Sequence, residues 1–302
     1  MRPRALITGI SGFTGRYLAG ELRSAGFEVY GISEGREADA TICSVDLRDF
    51  EGLGRCVRYI QPTVVAHLAA ISFVAHGNAA EIYHTNLIGT RNLLESLATL
   101  KSPPHAVLLA SSSNIYGNVL VDYLDESVAP HPANDYAVSK LAMEYMANIW
   151  ANKLPIIIVR PFNYTGVGQS LNFLLPKIVD HFRRGLREIE LGNLDVARDF
   201  SDVRMVAKVY ARLLQLAPAG EVFNVCSGTA YTLTELLDMM AKIAGYTISV
   251  VTNPAFVREN EVKILRGSNA KLLKLLGNIE QIPLRETLEW MYREGAGLAS
   301  GN

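Results

Sequence analysis

Along the chain, short runs of β-branched and apolar residues alternate with longer stretches in which apolar positions recur every three or four residues. The short runs are residues 5–8, 29–32, 41–45, 63–68, 107–111, 156–159 and 222–225. They lack the polar alternation of a half-exposed strand, so each reads as a strand buried on both faces of a parallel sheet. Helical periodicity fills residues 15–25, where Tyr17, Leu18, Leu22 and Ala25 form one stripe, and then 83–100 and 136–152. Strand and helix in alternation, joined by right-handed crossovers, predict an α/β fold of the Rossmann type, a doubly wound parallel sheet. After Arg160 the alternation loosens around Gly166, Gly168, Pro176, Gly185 and Gly192, which predicts a smaller α/β substrate-binding lobe. The expected division is 1–164 with 199–230 for the dinucleotide-binding domain, and 165–198 with 231–302 for the second lobe.

The chain has 302 residues, 49% hydrophobic and 20% charged, which suits one large or two modest globular domains. Lys plus Arg total 29 against 30 Asp plus Glu, so no excess positive charge favours nucleic acid or an anionic membrane. An anionic ligand must then be held by local geometry, such as a helix N-terminus or single arginines. Three cysteines without CxxC spacing, Cys43, Cys56 and Cys226, predict reduced, buried thiols and no metal site. Neither a signal-peptide core nor a run of eighteen apolar residues is present, and the expected location is cytoplasmic.

Gly9-Ile10-Ser11-Gly12-Phe13-Thr14-Gly15 follows the first strand and opens the first helix. Glycines there let the backbone approach a pyrophosphate, which the N–H groups and positive dipole end of the helix then face. The candidate cofactor residues of this loop are Gly9, Ser11, Gly12, Phe13, Thr14 and Gly15. At the end of the second strand Glu34 favours the free ribose 2′-hydroxyl of NAD(H), whereas Ser33 and Arg36 suit a 2′-phosphate. The expectation is NADP(H), with NAD(H) as the alternative. Asp46, after the third strand, is placed either to accept a hydrogen bond from the adenine amine or to cap the following helix.

Tyr136 and Lys140 stand one turn apart at the start of a helix, on one face. An ammonium beside a phenol favours the phenolate and draws the tyrosine pKa down towards working pH, as an acid/base group requires. Ser111-Ser112-Ser113 ends a strand at the carboxyl edge of the sheet, where a hydroxyl can hydrogen-bond a carbonyl or alkoxide. No GxSxG elbow is present, so a serine hydrolase is the wrong comparison.

Gly9 to Gly15, His67-Leu68-Ala69-Ala70, Asn86-Leu87-Ile88-Gly89-Thr90, Ser112 with Tyr116-Gly117, and Tyr136-Ala137-Val138-Ser139-Lys140 together resemble the extended short-chain dehydrogenase/reductase superfamily. The strings from Arg160 to Gln169, Leu191 to Asp195, Arg198-Asp199-Phe200 and Phe223 to Gly228 are similar to its branch of GDP-mannose 4,6-dehydratases and GDP-4-keto-6-deoxymannose reductases. The resemblance implies hydride transfer between a nicotinamide and C4 of a hexose. Tyr136 would exchange the O4 proton, Ser112 would hydrogen-bond O4, and Lys140 would hold the nicotinamide ribose. It further implies that Leu68, Ala69, Ala70, Thr85 and Phe162 line the cofactor and that Asp46 and Leu47 meet its adenine. Ser72, Asn163, Lys177, Arg198, Arg258 and Glu261 match substrate-side positions for a GDP-linked deoxysugar. A homodimer is implied as well, paired through the 83–100 and 136–152 helices.

Dehydratases of the branch carry a carboxylate two residues after the catalytic Ser or Thr, where this chain has Asn114. An amide cannot take the C5 proton, so simple 4-keto reduction is the economical expectation, giving GDP-D-rhamnose from GDP-4-keto-6-deoxy-D-mannose. Two departures from the branch are Tyr164 in place of a His and Met205 in place of an acid. The alternatives are a nucleotide-sugar 4-epimerase, a 4,6-dehydratase, and a cofactor-binding regulatory protein.

Overall fold

The computed structural model describes residues 2–35, 39–72, 78–119, 121, 123–192, 196–253 and 263–294. The chain divides into two compact units, one of residues 1–117, 128–161 and 207–224, the other of 118–127, 162–206 and 225–302. Residues 162–164, 199–206 and 225–230 therefore belong to the second unit, as does 118–127, rather than to the dinucleotide-binding domain expected from the sequence.

In chain order the strands are β1 (Arg4–Thr8), β2 (Glu28–Ser33), β3 (Ile42–Ser44), β4 (Val64–His67), β5 (Ala106–Ala110), β6 (Ile156–Pro161), β7 (Asn163–Thr165), β8 (Glu188–Leu191), β9 (Ala197–Asp202), β10 (Val222–Val225), β11 (Ala230–Thr232), β12 (Ser249–Thr252) and β13 (Ile264–Leu265). The helices are α1 (Phe13–Ser24), α2 (Phe50–Ile60), α3 (Ala79–Tyr83), α4 (Thr90–Ala98), α5 (Asp135–Ala147), α6 (Leu174–Arg183), α7 (Val203–Leu216), α8 (Leu233–Ala244), α9 (Ala270–Leu276) and α10 (Leu284–Glu294).

In the first unit seven strands form a sheet in the order β10-β6-β5-β4-β1-β2-β3, parallel from β3 to β6. All seven apolar runs of the sequence are these strands. The central strands are buried on both faces, as in β4, where each residue is covered, whereas the edge strand β3 is half-buried and ends exposed at Ser44, against the expectation for its run. The order reverses between β1 and β4, the switch point at which doubly wound sheets open a crevice beyond the carboxyl ends of their strands. Register sets those ends level, because Thr8 pairs with both Ile32 and His67, and His67 pairs with Leu109.

Helix α1 buries Gly15, Leu18, Ala19 and Leu22. Ala25, expected on that stripe, is the exposed C-cap, and Tyr17 sits half-buried at the margin. The helix expected over 83–100 is three segments, because a wider π turn, His84–Gly89, separates α3 from α4. Helix α2, whose range the pattern left undefined, packs on α4 and is capped by Asp49, whose carboxylate accepts the Gly52 N–H at 2.9 Å.

In the second unit, β9 pairs with β7 and β13 in parallel and with β11 antiparallel, while β8 and β12 form a separate parallel pair. Its core gathers Leu175, Ile178 and Phe182 of α6, Leu236 and Met240 of α8, and Leu288 and Met291 of α10. Thr287 on α10 donates to the buried Asp202 carboxylate at 2.7 Å, which also takes Arg204 through two guanidinium nitrogens.

Candidate active site

The loop between β1 and α1 turns at Gly9, whose φ of +72° is in the left-handed region that favours glycine. A side chain on Gly9 would press on the Ala69 backbone at 3.0 Å, and one on Gly15 would run into the backbone of Gly9 and Ile10. Gly12 is the N-cap of α1 and supplies no side-chain acceptor to the first turn. A bare helix N-terminus behind a loop without side-chain bulk fits a pyrophosphate. Ser11 Oγ lies 2.8 Å from Ser33 Oγ, which also accepts the Gly35 N–H at 3.4 Å, so the end of β2 is tied to this loop. Glu34 is exposed next to them, and Arg36 lies outside the described residues. Phe13 and Thr14 are half-buried in the first turn of α1.

Asp46 does not cap α2. Its carboxylate is held by the Arg48 backbone and guanidinium, and these hydrogen bonds keep the carboxyl below its usual range. Leu47 is buried in the core, against the position where Gly89 lacks a side chain.

At the end of β4, hydrogen bonds of one fixed direction run through His67. The Asn86 carbonyl can only accept, so Thr90 donates to it at 2.6 Å and must itself accept from His67 Nε2 at 2.8 Å. His67 Nδ1 therefore accepts the Thr8 hydroxyl at 2.7 Å, and Thr8 Oγ1 takes the Ala69 N–H at 3.2 Å. Burial, followed by the neighbouring Lys140 charge, pushes the His67 pKa down to about 3, in keeping with this single neutral tautomer. Leu68, Ala69 and Ala70 continue from it, half-buried along the strand edge, and Ser72 is exposed beyond them.

Asn86, in the π turn, has no role of its own in the sequence pattern beyond its motif, and it ties two parts of the candidate site together. Its amide exchanges two hydrogen bonds with the Ile71 backbone, at 2.8 and 3.1 Å, and donates to Ser139 Oγ at 3.0 Å. Ser139 in turn donates to the Tyr136 carbonyl at 2.7 Å. A wider turn at a functional site is a recurring use of the π-helix. Thr85 sits half-buried in the same turn.

Ser112 follows β5 and caps the turn Ser113–Tyr116, its Oγ accepting the Asn114 N–H at 3.1 Å. With an acceptor site used by its own turn, the hydroxyl proton remains for a ligand oxygen. Gly117 closes the turn with φ +58°, where any side chain would strike the His131 carbonyl. Asn114 itself is exposed.

Helix α5 starts with its N-cap Asn134 accepting the Ala137 N–H at 2.9 Å, which puts Tyr136 and Lys140 on the buried face in successive turns. Lys140 Nζ donates to the Ala110 carbonyl at 2.7 Å, which holds the lysine head at the last residue of β5, two residues before Ser112. Burial draws the Lys140 pKa down to about 8, opposed by the Glu144 charge.

In the second unit, Phe162 is buried with its N–H on the Val225 carbonyl at 2.9 Å. Asn163 is exposed on β7 and donates to the Asp199 carbonyl at 3.2 Å. Lys177 on α6 donates to the Glu190 carbonyl and Arg198 on β9 to the Ala197 carbonyl, each at 2.9 Å. Both are half-buried. Arg258 and Glu261 lie outside the described residues. Asp199, buried beside Arg198, accepts Ser227 N–H, Ser227 Oγ–H and Gly228 N–H at 2.7–2.9 Å, fixing the loop after β10 to β9. Burial pushes its carboxyl up while these donors pull it down. Met205, at the position of an expected acid, is buried and apolar. Among the described residues no group of three His, Cys, Asp or Glu could hold a metal ion, and no helix is long and apolar enough to cross a membrane.

The sequence profile of the family "GDP-mannose 4,6 dehydratase" matches residues 6–291. Among curated relatives, GDP-6-deoxy-D-talose 4-dehydrogenase of Aggregatibacter actinomycetemcomitans is 36% identical over 96% of this chain and 97% of its own. GDP-6-deoxy-D-mannose reductase of Pseudomonas aeruginosa is 34% identical over 95% of each. A solved Burkholderia cenocepacia J2315 structure provisionally named an epimerase is 53% identical, with a TM-score of 0.91 over 97% of this chain and 98% of that one. The Pseudomonas aeruginosa RMD complex with NADPH is 32% identical, with a TM-score of 0.84 over 96% and 97%.

Proposed function

The chain belongs to the GDP-mannose 4,6-dehydratase family of short-chain dehydrogenase/reductase enzymes, and we propose that within it this protein reduces the 4-keto group of GDP-4-keto-6-deoxy-D-mannose to give GDP-D-rhamnose. The observation that carries this reading is the set Ser112, Tyr136 and Lys140 with Asn114, not a carboxylate, in the Ser112 turn. Reduction needs an acid for O4 and nothing for C5, which is what these residues provide.

When bound, the nicotinamide supplies the hydride for C4. Ser112 donates its hydroxyl proton in a hydrogen bond to O4 and polarises the carbonyl. Tyr136 delivers a proton to O4 as the alkoxide forms, and the Lys140 ammonium stabilises the phenolate left behind. Gly9 to Gly15, with Ser11 and Ser33, would hold the pyrophosphate and the adenosine end of NADP(H), and Leu68 to Ala70 would line its nicotinamide end. NADPH is preferred in this proposal because a 32% identical neighbour was solved with it. Asn163, Lys177 and Arg198, with Arg258 and Glu261, would hold the GDP-sugar, the cations neutralising its diphosphate.

Ile88, Val138, Tyr145 and Ile149 leave apolar side chains exposed on the π turn, along α5 and in the short turn Asn148–Trp150 that follows it. We assign this face to a homodimer, which sedimentation of the purified enzyme tests. A cytoplasmic location belongs to the same proposal.

The test is consumption of NADPH with GDP-4-keto-6-deoxy-D-mannose, beside a control with GDP-mannose. Turnover of the keto sugar alone supports reduction, and formation of the keto sugar from GDP-mannose would favour a dehydratase. The talose relative favours one variant of the reading, because 6-deoxy-D-talose and 6-deoxy-D-mannose differ at C4 alone. Product NMR distinguishes the two.

A further inference from the structure

Glu144 lies one turn beyond Lys140 on α5, and its carboxylate meets the guanidinium of Arg160 on β6 through two hydrogen bonds, Nε to Oε1 at 3.1 Å and Nη2 to Oε2 at 2.7 Å. Both side chains are less than a tenth exposed. Arg160 uses its remaining arm, Nη1, to donate to the Tyr116 hydroxyl at 3.0 Å, and Tyr116 donates to Asn224 Oδ1 on β10 at 2.7 Å. Tyr116 and Asn224 are fully buried, and Tyr116 is the last residue of the turn that Ser112 caps. One bonded chain thus joins the helix of Tyr136 and Lys140 to the turn of Ser112 by way of Arg160 on β6, and Asn224 on β10 anchors its far end.

A buried ion pair is weak evidence for stability, since an apolar pair of similar volume is often as stable or more so. Its geometric content is stronger. The two-pronged bond fixes α5 against β6 along the helix axis and in rotation, and the third arm fixes the Ser112 turn to the same guanidinium. Its electrostatic content follows from what surrounds Lys140. From β5 it meets the Ala110 carbonyl, from β4 the neutral His67, and along its own helix Tyr136 and Glu144. Among these described groups Glu144 carries the negative charge that offsets the burial of the ammonium, and Arg160 enters through its bond to Glu144.

We propose that Glu144 and Arg160 are positioning residues for the reduction, with the pair holding the Ser112 turn and α5 in register and the Glu144 carboxylate setting a negative charge one turn from Lys140 on the same helix. This rests on the reductase reading and adds to it two residues that touch neither substrate nor cofactor.

The direct test is the pH titration of Lys140 by 13C NMR in cofactor-free protein labelled at lysine Cε, with the resonance assigned by its loss in Lys140→Arg. In Glu144→Gln the Lys140 midpoint falls by about one pH unit, the alkaline limb of kcat/KM for the keto sugar moves down with it, and Glu144→Asp restores both in large part. Arg160→Lys keeps the charge and loses the fork, so its midpoint stays near wild type while kcat drops about tenfold at nearly constant KM. If Glu144→Gln fails to fold, Glu144→Leu with Arg160→Leu leaves no charge unpaired, and it is expected to fold with a midpoint nearer wild type, because both charges are gone, and with kcat lowered about tenfold by the lost tie between α5 and the Ser112 turn. A Lys140 midpoint unchanged in Glu144→Gln, or wild-type kcat in the double variant, would overturn the proposal. Absence of keto-sugar turnover by the wild-type enzyme would instead overturn the reductase reading, and the titration would still decide the link from Glu144 to Lys140.

Discussion

The two units hold their candidate chemistry in different ways. In the first, Ser112 follows a buried strand and Lys140 sits on the buried face of a helix, and both are bonded to backbone, Ser112 to the Asn114 N–H and Lys140 to the Ala110 carbonyl. In the second, Lys177 and Arg198 stand half-buried on separate elements, α6 and β9, each resting on a carbonyl. A strand end has its position fixed by the register of its neighbours, so chemistry placed there is rigid. A long cation on a lobe reaches its partners through a flexible stem, so its position is less fixed by the backbone than that of a strand end.

The comparison predicts a graded response to mutation. The largest effect belongs to the first unit, where Tyr136→Phe is expected to lower kcat about 1,000-fold with NADPH affinity nearly unchanged, read from NADPH absorbance and fluorescence titration. Wild-type turnover in that variant would remove the catalytic assignment. Gly15→Val, which forces a side chain into the Gly9 and Ile10 backbone, should weaken NADPH binding about 100-fold while GDP binding to the second unit, measured by calorimetry, stays within about threefold. Equal loss of both ligands would mean that the units are not separable.

In the second unit, Arg198→Ala should raise the Kd for GDP about tenfold and leave NADPH affinity unchanged. A smaller effect appears in acid. The folded-state pKa of His67 lies near 3, below the ordinary 6.5, so the unfolded chain binds the extra proton between those values. Stability is then complete above pH 6.5 and is lost as pH falls through that window, by up to about 1.4 kcal/mol per pH unit. Denaturant titrations at pH 7, 6 and 5 measure the slope, and a His67→Gln slope equal to wild type would show that another group sets it.

Much of the first unit was legible because its signals are local. Seven apolar runs became the seven strands of one sheet, and the glycines at 9, 12 and 15 mark a loop in which the backbone leaves no room for side chains. The π turn at His84–Gly89 was not legible, since its cause is a set of contacts from Asn86 to Ile71 and Ser139, distant in sequence. The unit boundary was misplaced for a related reason. Asp199 bonds Ser227 and Gly228, so the strand Ala197–Asp202 and the loop after β10 join the second unit through a contact that periodicity does not encode. The helix cap at Asp49, three residues past the expected Asp46, shows the same limit at short range, because Arg48 claims the earlier carboxylate.

The measurement that tests the central claim most directly is the reaction of GDP-4-keto-6-deoxy-D-mannose with NADPH in which both nicotinamide C4 hydrogens are deuterium, with the sugar examined by NMR. The account predicts one deuterium at C4 of a GDP-6-deoxyhexose of the D-rhamno configuration, formed in equal amount with NADP+. A sugar free of deuterium, or C4 inversion of a nucleotide sugar without net cofactor oxidation, would contradict it.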